Sequence, residues 1–301
     1  MVNINKATNE NNGEMMVGEF LPPMRFVYRK TYNAIASSQG EFREFMKVKY
    51  QQNLKTYKPE VVRHFCDCLI AAKYEAEAEN RDSVEHLNDD NLGLTLQDLF
   101  IAGSDSTRIT LQWMVLFMAN FPDIQQKLRN EIDNFVGVDQ VIDHDRKSKL
   151  HYVQAFVSES LRYRPVAPLG LPHKATVDSS VSGHSIPKGT TVQVHEYAIL
   201  HVTRHWDRPE EFRPERFLDE NGKHNSRVPA FVPFGVGRRA CIGEKLAVTD
   251  LVLMIGRLLQ ATSGYEFVLP DGPGSVSLHG DISIPMPLTP VQYNVILRPM
   301  D

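Results

Sequence analysis

The sequence predicts a mainly α-helical fold with a minor β-sheet in its second half. Up to Pro165, most of the chain consists of helix-length segments with apolar residues at helical spacing, several ending near prolines. After Pro165, short segments of strand composition alternate with glycine-containing turns. The composition, 42% hydrophobic and 23% charged, is that of an ordinary folded protein.

Five helices are expected before Pro165. They are Glu41–Lys58, Val61–Asn80, Leu94–Asn120, Asp123–Phe135 and Lys149–Tyr163. Pro59 and Pro122 end the first and third of these, since proline cannot continue a helix. The third would be about 40 Å long at roughly 1.5 Å per residue. The charged stretch Glu77–Asn91 is expected to be a solvated connection.

The second half is expected to contain strands, turns, an irregular loop and one more helix. The strands are Leu169–Asp178, Thr190–Val194, Tyr265–Leu269 and Tyr293–Leu297, with turns at Ser182-Gly183 and Lys188-Gly189. Proline-rich Trp206–Pro233 predicts an ordered but irregular loop, and Ile242–Gln260 predicts a helix.

The N-terminal residues 1–19 are polar and are expected to be loose, with residues 20–301 belonging to one domain. Phe20–Tyr28 is apolar and broken by two prolines, which favours a core-facing loop or, alternatively, a patch touching a membrane. The chain has no run of about 18 apolar residues and no apolar core of a signal peptide, so we expect it neither to span a bilayer nor to be exported.

Charge and cysteine content exclude two classes of protein. The net charge is −4, whereas a nucleic-acid-binding surface needs a basic excess, so no nucleic-acid partner is expected. Three cysteines cannot form a disulfide framework, which indicates a reducing compartment.

The most specific chemical feature is the segment 234–243, FGVGRRACIG, which places one cysteine between glycines just before a helix. A thiolate is a strong soft ligand that haem iron accepts, and backbone N–H groups with the positive end of the helix would stabilise its charge. Gly237 and Gly243 would let the backbone approach a flat ligand. Phe234 could shield the sulfur, and Arg239 could neutralise a carboxylate of the ligand.

The alternative for Cys241 is an ordinary buried free cysteine, which is the interpretation we keep for Cys66 and Cys68. The spacing argues against it for Cys241. Five fixed residue types in a ten-residue window arise by chance in on the order of 1 in 10,000 chains of this length.

Phe234, Gly237, Arg239, Cys241 and Gly243 match the pattern FxxGxRxCxG, and here the chain resembles the cytochrome P-450 (haem-thiolate monooxygenase) family. The resemblance implies the C-terminal portion of the cytochrome P-450 fold and haem as the cofactor. It also implies that Cys241 is the axial ligand of the iron and that Arg239 contacts a haem propionate.

A second motif agrees with this resemblance. Glu159 and Arg162 stand at i and i+3 on one helix, a pair that alone is common and contributes a few tenths of a kcal/mol. Downstream, residues 214–217 read PERF. In the family such segments join as a Glu–Arg–Arg network behind the haem. The resemblance therefore implies a structural network of Glu159, Arg162 and Arg216.

The third motif is the polar segment Ala102–Thr107 in the middle of the longest helix. From the residues alone, a polar stripe facing solvent explains it. The family instead carries (A/G)Gx(D/E)T(T/S) here, which places Ala102 at the cofactor and Asp105, Ser106 and Thr107 at the dioxygen pocket. Asp105 and Ser106 would relay protons, with serine standing where the family usually has threonine; the hydroxyl remains without the methyl that restricts its rotamer.

Residues 161–180 resemble those of steroid 17-alpha-hydroxylase-like members of the microsomal type, and also a related aryl-hydrocarbon-oxidising group. The resemblance implies that His173 reaches a haem propionate; the alternative is a surface histidine. Val166, Ala167 and Leu169 would edge a pocket whose apolar lining suits an apolar substrate.

The resemblance implies a monooxygenase that inserts one oxygen atom of dioxygen into an apolar substrate such as a steroid. Electrons would come from NADPH through an NADPH–cytochrome reductase, on the cytoplasmic face of the endoplasmic reticulum membrane. Phe20–Tyr28 then becomes a candidate contact with the membrane surface. Family members usually run to roughly 500 residues, so we expect about 200 N-terminal residues, the anchor included, to be absent here.

Two other interpretations stay open at this point. One is a truncated haem-binding or interaction protein without turnover. The other, much weaker, is a zinc site formed by Cys66 and Cys68 with His201 and His205, two pairs that lie far apart in the sequence.

Overall fold

The computed structural model describes residues 17–18, 21–136, 140–281 and 287–300, and it is mainly helical. The helices are α1 (Met24–Val27), α2 (Arg29–Lys55), α3 (Phe65–Ala78), α4 (Asp89–Asn120), α5 (Pro122–Phe135), α6 (His151–Tyr163), α7 (Glu196–His201) and α8 (Glu244–Ala261). The strands are β1 (His173–Lys174), β2 (Ser179–Val181), β3 (His184–Ile186), β4 (Thr191–Val192), β5 (Tyr265–Val268) and β6 (Ile296–Pro299). The predicted fold class is confirmed.

The chain divides into two compact units, residues 1–105 and residues 106–301, and α4 runs through the division. In the first unit, α2 buries one face, Ile35, Phe42, Met46 and Tyr50, at spacings of one or two helical turns. Tyr50 joins a small core with Cys66, Ile70 and Leu92.

The expectation of a solvated connection over Glu77–Asn91 is wrong at its C-terminal end. Asp89 is the first residue of α4, and it accepts hydrogen bonds from the Tyr50 hydroxyl at 3.0 Å and the Lys73 ammonium at 2.7 Å. Tyr50 belongs to α2 and Lys73 to α3, so two other helices fix Asp89 at the start of α4.

The core-facing loop expected over Phe20–Tyr28 is also wrong in its described part. Residues 24–27 form the single helical turn α1, in which Phe26 is 82% exposed and Val27 66% exposed. Proline is compatible with a first helical turn, so Pro22 and Pro23 precede a helix rather than make a loop. Phe20 and most of the residues expected to be loose, 1–19, lie outside the described residues.

The core of the second unit is built around α6, in which every residue from Tyr152 to Tyr163 is buried except Gln154. Aromatic rings from α4 and from the irregular segment pack beside it. Phe212 lies 4.4 Å from Phe117 of α4 and 5.7 Å from Phe156 of α6, measured between ring centroids. The irregular segment that carries Phe212 is therefore held by the core, as expected for an ordered loop.

The described strands form three antiparallel pairs, β1 with β4, β2 with β3 and β5 with β6. The predicted turn between β2 and β3 is confirmed, with φ of 48° at Ser182 and 83° at Gly183. The strand expected over Leu169–Asp178 is shorter, because only His173 and Lys174 find a partner strand. None of the helices in the described part is long and apolar enough to cross a membrane.

Candidate functional site: the cysteine loop and its surroundings

The cysteine loop, residues 234–243, is a closed turn that presents its thiol outward. The Cys241 backbone N–H donates to the Phe234 carbonyl at 2.8 Å, and a 3₁₀ turn over Gly237–Arg239 fills the interval. Gly237 has φ of 74°, a left-handed conformation that a side chain would strain, and open space where a Cβ would stand. Cys241 is exposed, so the buried-cysteine alternative is wrong for it. The same interpretation is confirmed for Cys66, which is buried, and is wrong for Cys68, which is exposed.

Large apolar side chains next to Cys241 in the chain face outward as well. Ile242 is 88% exposed, Val236 70% and Leu246 67%. Exposed apolar groups on both sides of an exposed thiol fit a flat apolar ligand that is bound through sulfur. Arg239 is exposed in the same loop, and Phe234 is half-buried and packs against the core of the second unit.

The structure brings Glu159, Arg162 and Arg216 together in the interior of the second unit. Both side chains of the Glu159–Arg162 pair are 0% exposed, and they make two parallel hydrogen bonds of 2.7 and 2.9 Å. The Arg216 Nε donates to the same carboxylate at 3.1 Å. Burial lowers the pKa of Arg216, while the Glu159 charge opposes this shift.

Main-chain groups complete this network, and no sequence motif indicated them. Arg162 also donates to the carbonyl oxygens of Leu200 and Pro209, each at 2.9 Å. The Arg213 backbone N–H donates to Glu159 at 2.8 Å. The network therefore ties α6 to α7 and to the irregular segment around PERF.

The predicted oxygen-handling segment, residues 102–107, lies in one uninterrupted stretch of α4. Ala102 is exposed, whereas Asp105, Ser106 and Thr107 are half-buried. The Thr110 hydroxyl donates a hydrogen bond to the Ser106 carbonyl at 2.9 Å. This carbonyl therefore has a side-chain donor in addition to the backbone of the helix.

His173 lies on β1 and is exposed, paired with Val192 of β4. The predicted pocket edge, Val166, Ala167 and Leu169, is half-buried, and the Val166 carbonyl accepts a hydrogen bond from Leu288.

The zinc alternative finds no support in the part of the chain that the structure describes. No group of three or more His, Cys, Asp or Glu residues there is placed to hold a metal ion. His201 instead places its Nδ1 2.9 Å from the Tyr197 carbonyl and stacks on the Tyr197 ring.

Comparison with known families agrees with this geometry. The family model for cytochrome P450 matches residues 1–292. The chain belongs to the cytochrome P450 family, so the resemblance stated from its motifs is confirmed.

Among curated proteins, the chain is similar to several named steroid 17-alpha-hydroxylase/17,20 lyase. It is 34% identical over 259 residues to that of Gallus gallus, covering 85% of this chain and 50% of the relative. It is 36% identical over 241 residues to that of Peromyscus leucopus, covering 79% of this chain and 46% of the relative. It is 30% identical over 282 residues to that of Squalus acanthias, covering 93% of this chain and 54% of the relative. The chain thus spans about half the length of these relatives.

Membership in this family implies a haem-thiolate cofactor, and the cysteine loop fits it. The exposed thiol supplies the ligand type that haem iron accepts, and the apolar flanks and glycine backbone suit a flat ring. Cys241 would hold the iron, while Arg239 and His173 stay proposed partners of the propionates.

Proposed function

We propose that this chain supplies the haem-binding and oxygen-handling parts of a haem-thiolate monooxygenase. The observation that carries the proposal is the exposed thiol of Cys241 in a glycine-containing loop with exposed apolar neighbours. Haem bound through a thiolate supplies the reductive activation of dioxygen. The protein itself would then hold the haem ring and deliver protons to the site.

Residues of the chain divide these tasks. Cys241 binds the iron, Arg239 and His173 pair with carboxylates of the ring, and the backbone beside Gly237 and Gly243 allows close approach. Ala102 lies at the cofactor, while Asp105, Ser106 and Thr107 of α4 carry protons. The buried network of Glu159, Arg162 and Arg216 holds the segments around the loop in place without taking part in the chemistry.

An apolar substrate of the steroid class is the finer part of the proposal. The curated relatives carry steroid hydroxylase in their names, and half-buried Val166, Ala167 and Leu169 supply apolar surface for such a ligand. Electrons would come from NADPH through a reductase at the endoplasmic reticulum membrane. The exposed apolar turn that contains Phe26 and Val27 would touch that membrane surface.

The ferrous–CO absorption spectrum of the haem-reconstituted chain tests the ligand assignment. We expect Cys241→Ala to abolish the thiolate-type spectrum and leave far-UV helicity unchanged, because the loop is closed by main-chain bonds. Cys68→Ala, which removes the other exposed thiol, is the matched control and should keep the spectrum. A thiolate-type spectrum in the Cys241→Ala protein would defeat the assignment.

Turnover is tested separately, with NADPH, a reductase and a steroid. Substrate-dependent product with a thiolate-type spectrum supports the monooxygenase. The same spectrum without any product would favour a haem-binding protein that lacks turnover.

A further inference from the structure

Two hydrogen bonds in series connect α4 to the proposed edge of the substrate pocket, and they lie outside every motif discussed so far. The indole N–H of Trp113 donates to the Leu288 carbonyl at 3.0 Å. The backbone N–H of Leu288 then donates to the Val166 carbonyl at 2.9 Å. All three residues belong to the second unit. Leu288 therefore accepts from the oxygen-handling helix and donates to the pocket edge.

Trp113 stands on the same face of α4 as Ser106. Residues at i, i+4 and i+7 of a helix share one face, and Ser106, Thr110 and Trp113 occupy these positions. The Thr110 hydroxyl, bonded to the Ser106 carbonyl at 2.9 Å, joins the two ends of this stretch. Because α4 is uninterrupted here, holding the indole also holds the face that carries Ser106.

Packing fixes the orientation of the indole. Trp113 is 0% exposed, and its ring stacks on Phe117 with the centroids 5.5 Å apart. The Arg164 guanidinium lies 6.0 Å from the Trp113 ring centroid and donates to the Leu278 carbonyl. A close-packed ring whose N–H is also bonded has little freedom to turn. Leu288 is thus held from a rigid point of the interior.

We propose that Trp113 is a positioning residue for the apolar substrate, because through Leu288 it fixes the pocket edge at Val166 relative to the face of α4 that carries Ser106. The inference rests on the proposed function. Trp113 acts through Leu288 and not by contact with the substrate. Losing the indole N–H frees Leu288 and, with it, the Val166 edge. The substrate then binds more weakly in a chain that is still folded.

The two tryptophans of the chain allow a matched test. Trp206 is 3% exposed, and its indole N–H donates to the Ile199 carbonyl at 3.0 Å. Trp206→Phe therefore removes an equivalent bond that involves neither α4 nor Val166, whereas Trp113→Phe removes the proposed anchor. Benzothienylalanine at either position keeps the double ring and replaces the N–H by sulfur, which avoids the cavity that phenylalanine leaves.

Two quantities are measured on each haem-reconstituted protein. The first is the rate of amide hydrogen exchange at Leu288, resolved by mass spectrometry, and the second is the dissociation constant of tritiated progesterone, from equilibrium dialysis. We expect both Trp113 variants to raise each quantity about three- to tenfold, which corresponds to one net hydrogen bond. Both Trp206 variants should stay within about twofold of the parent chain.

Three results would overturn the inference. They are unchanged exchange at Leu288 in the Trp113 variants, faster exchange there with unchanged steroid binding, and equal effects of the Trp113 and Trp206 variants, which would indicate general destabilisation. If the parent chain itself lacks the thiolate-type ferrous–CO spectrum or binds no steroid, the proposed function fails before any variant is compared, so the two failures are distinguishable.

Discussion

Glu159 accepts four hydrogen bonds in a place that water does not reach, three from guanidinium groups and one from a backbone amide. Only the pair with Arg162 is visible in the sequence, as an i, i+3 spacing that occurs on many helices. The remaining donors come from residues more than fifty positions away in the chain. With these donors from distant residues, the pair of Glu159 and Arg162 becomes part of a buried network.

We expect Glu159→Gln to lower the free energy of unfolding by about 3–5 kcal/mol, because it leaves two buried arginines without their counter-charge. Urea unfolding followed by far-UV circular dichroism measures the change. Glu220→Gln, on an exposed carboxylate, is the control and should have little effect. A loss below about 1 kcal/mol would mean that solvent compensates the arginines.

Ser106 stands where the family usually has threonine. We expect Ser106→Thr to raise the product formed per NADPH consumed, because the added methyl restricts the hydroxyl to fewer rotamers. Ser104→Thr, at an exposed position of the same helix, is the matched control. No gain over that control would argue against Ser106 in the proton path.

At the scale of elements, α6 depends on a carboxylate from its neighbour α5. The first amides of a helix have no partner within it, and the residue before α6, Leu150, supplies no side-chain cap. Glu131 of α5 accepts the N–H of Tyr152 at 2.7 Å and that of Val153 at 2.9 Å. Burial raises the pKa of Glu131, and these bonds oppose the shift.

Glu131→Ala should therefore destabilise the protein by about 1–3 kcal/mol, the cost of leaving buried donors unpaired. Asn134→Ala, on the exposed side of the same helix, is the control. Both are compared by urea unfolding. Equal stability of the two variants would show that water replaces Glu131 at the helix start.

Element boundaries show where local patterns suffice. Proline ends or begins helices through its own ring, so α5 is found at Pro122–Phe135, close to expectation. By contrast, α2 begins at Arg29 rather than at the predicted Glu41. The sequence does not indicate this earlier start, because the first turns of α2 bury only Ile35 and have no clear apolar repeat. The six-residue α7 was not predicted at all, since so short a helix is stabilised mainly by its neighbours.

At the scale of the whole molecule, two half-buried histidines make stability depend on pH. Burial lowers the pKa of His201 and of His224 to about 4, from an ordinary value of 6.5. His224 places its Nε2 2.9 Å from the Ser158 hydroxyl, and His201 stacks on Tyr197. Below about pH 6.5 these histidines become protonated in the unfolded chain, whereas in the folded chain they stay neutral down to about pH 4.

Stability should therefore fall as the pH drops from about 6.5 toward 4, and His224→Gln should make this fall smaller. The measurement is the urea midpoint at pH values of about 7 and about 5. His279→Gln, at an exposed position, should leave the pH dependence unchanged. An identical pH dependence in all three proteins would contradict a neutral buried His224.

Features that depend on neighbouring residues could be derived from the sequence alone: the main helices, the turn at Ser182-Gly183, and the cysteine loop with its family. Proline geometry, helical periodicity and the spacing within a ten-residue window are all local properties. Only the tertiary structure decided that Glu159 is fully buried and that Glu131 caps α6. Each of these depends on distant segments meeting, and burial then gives a single carboxylate an energetic weight that no local pattern encodes.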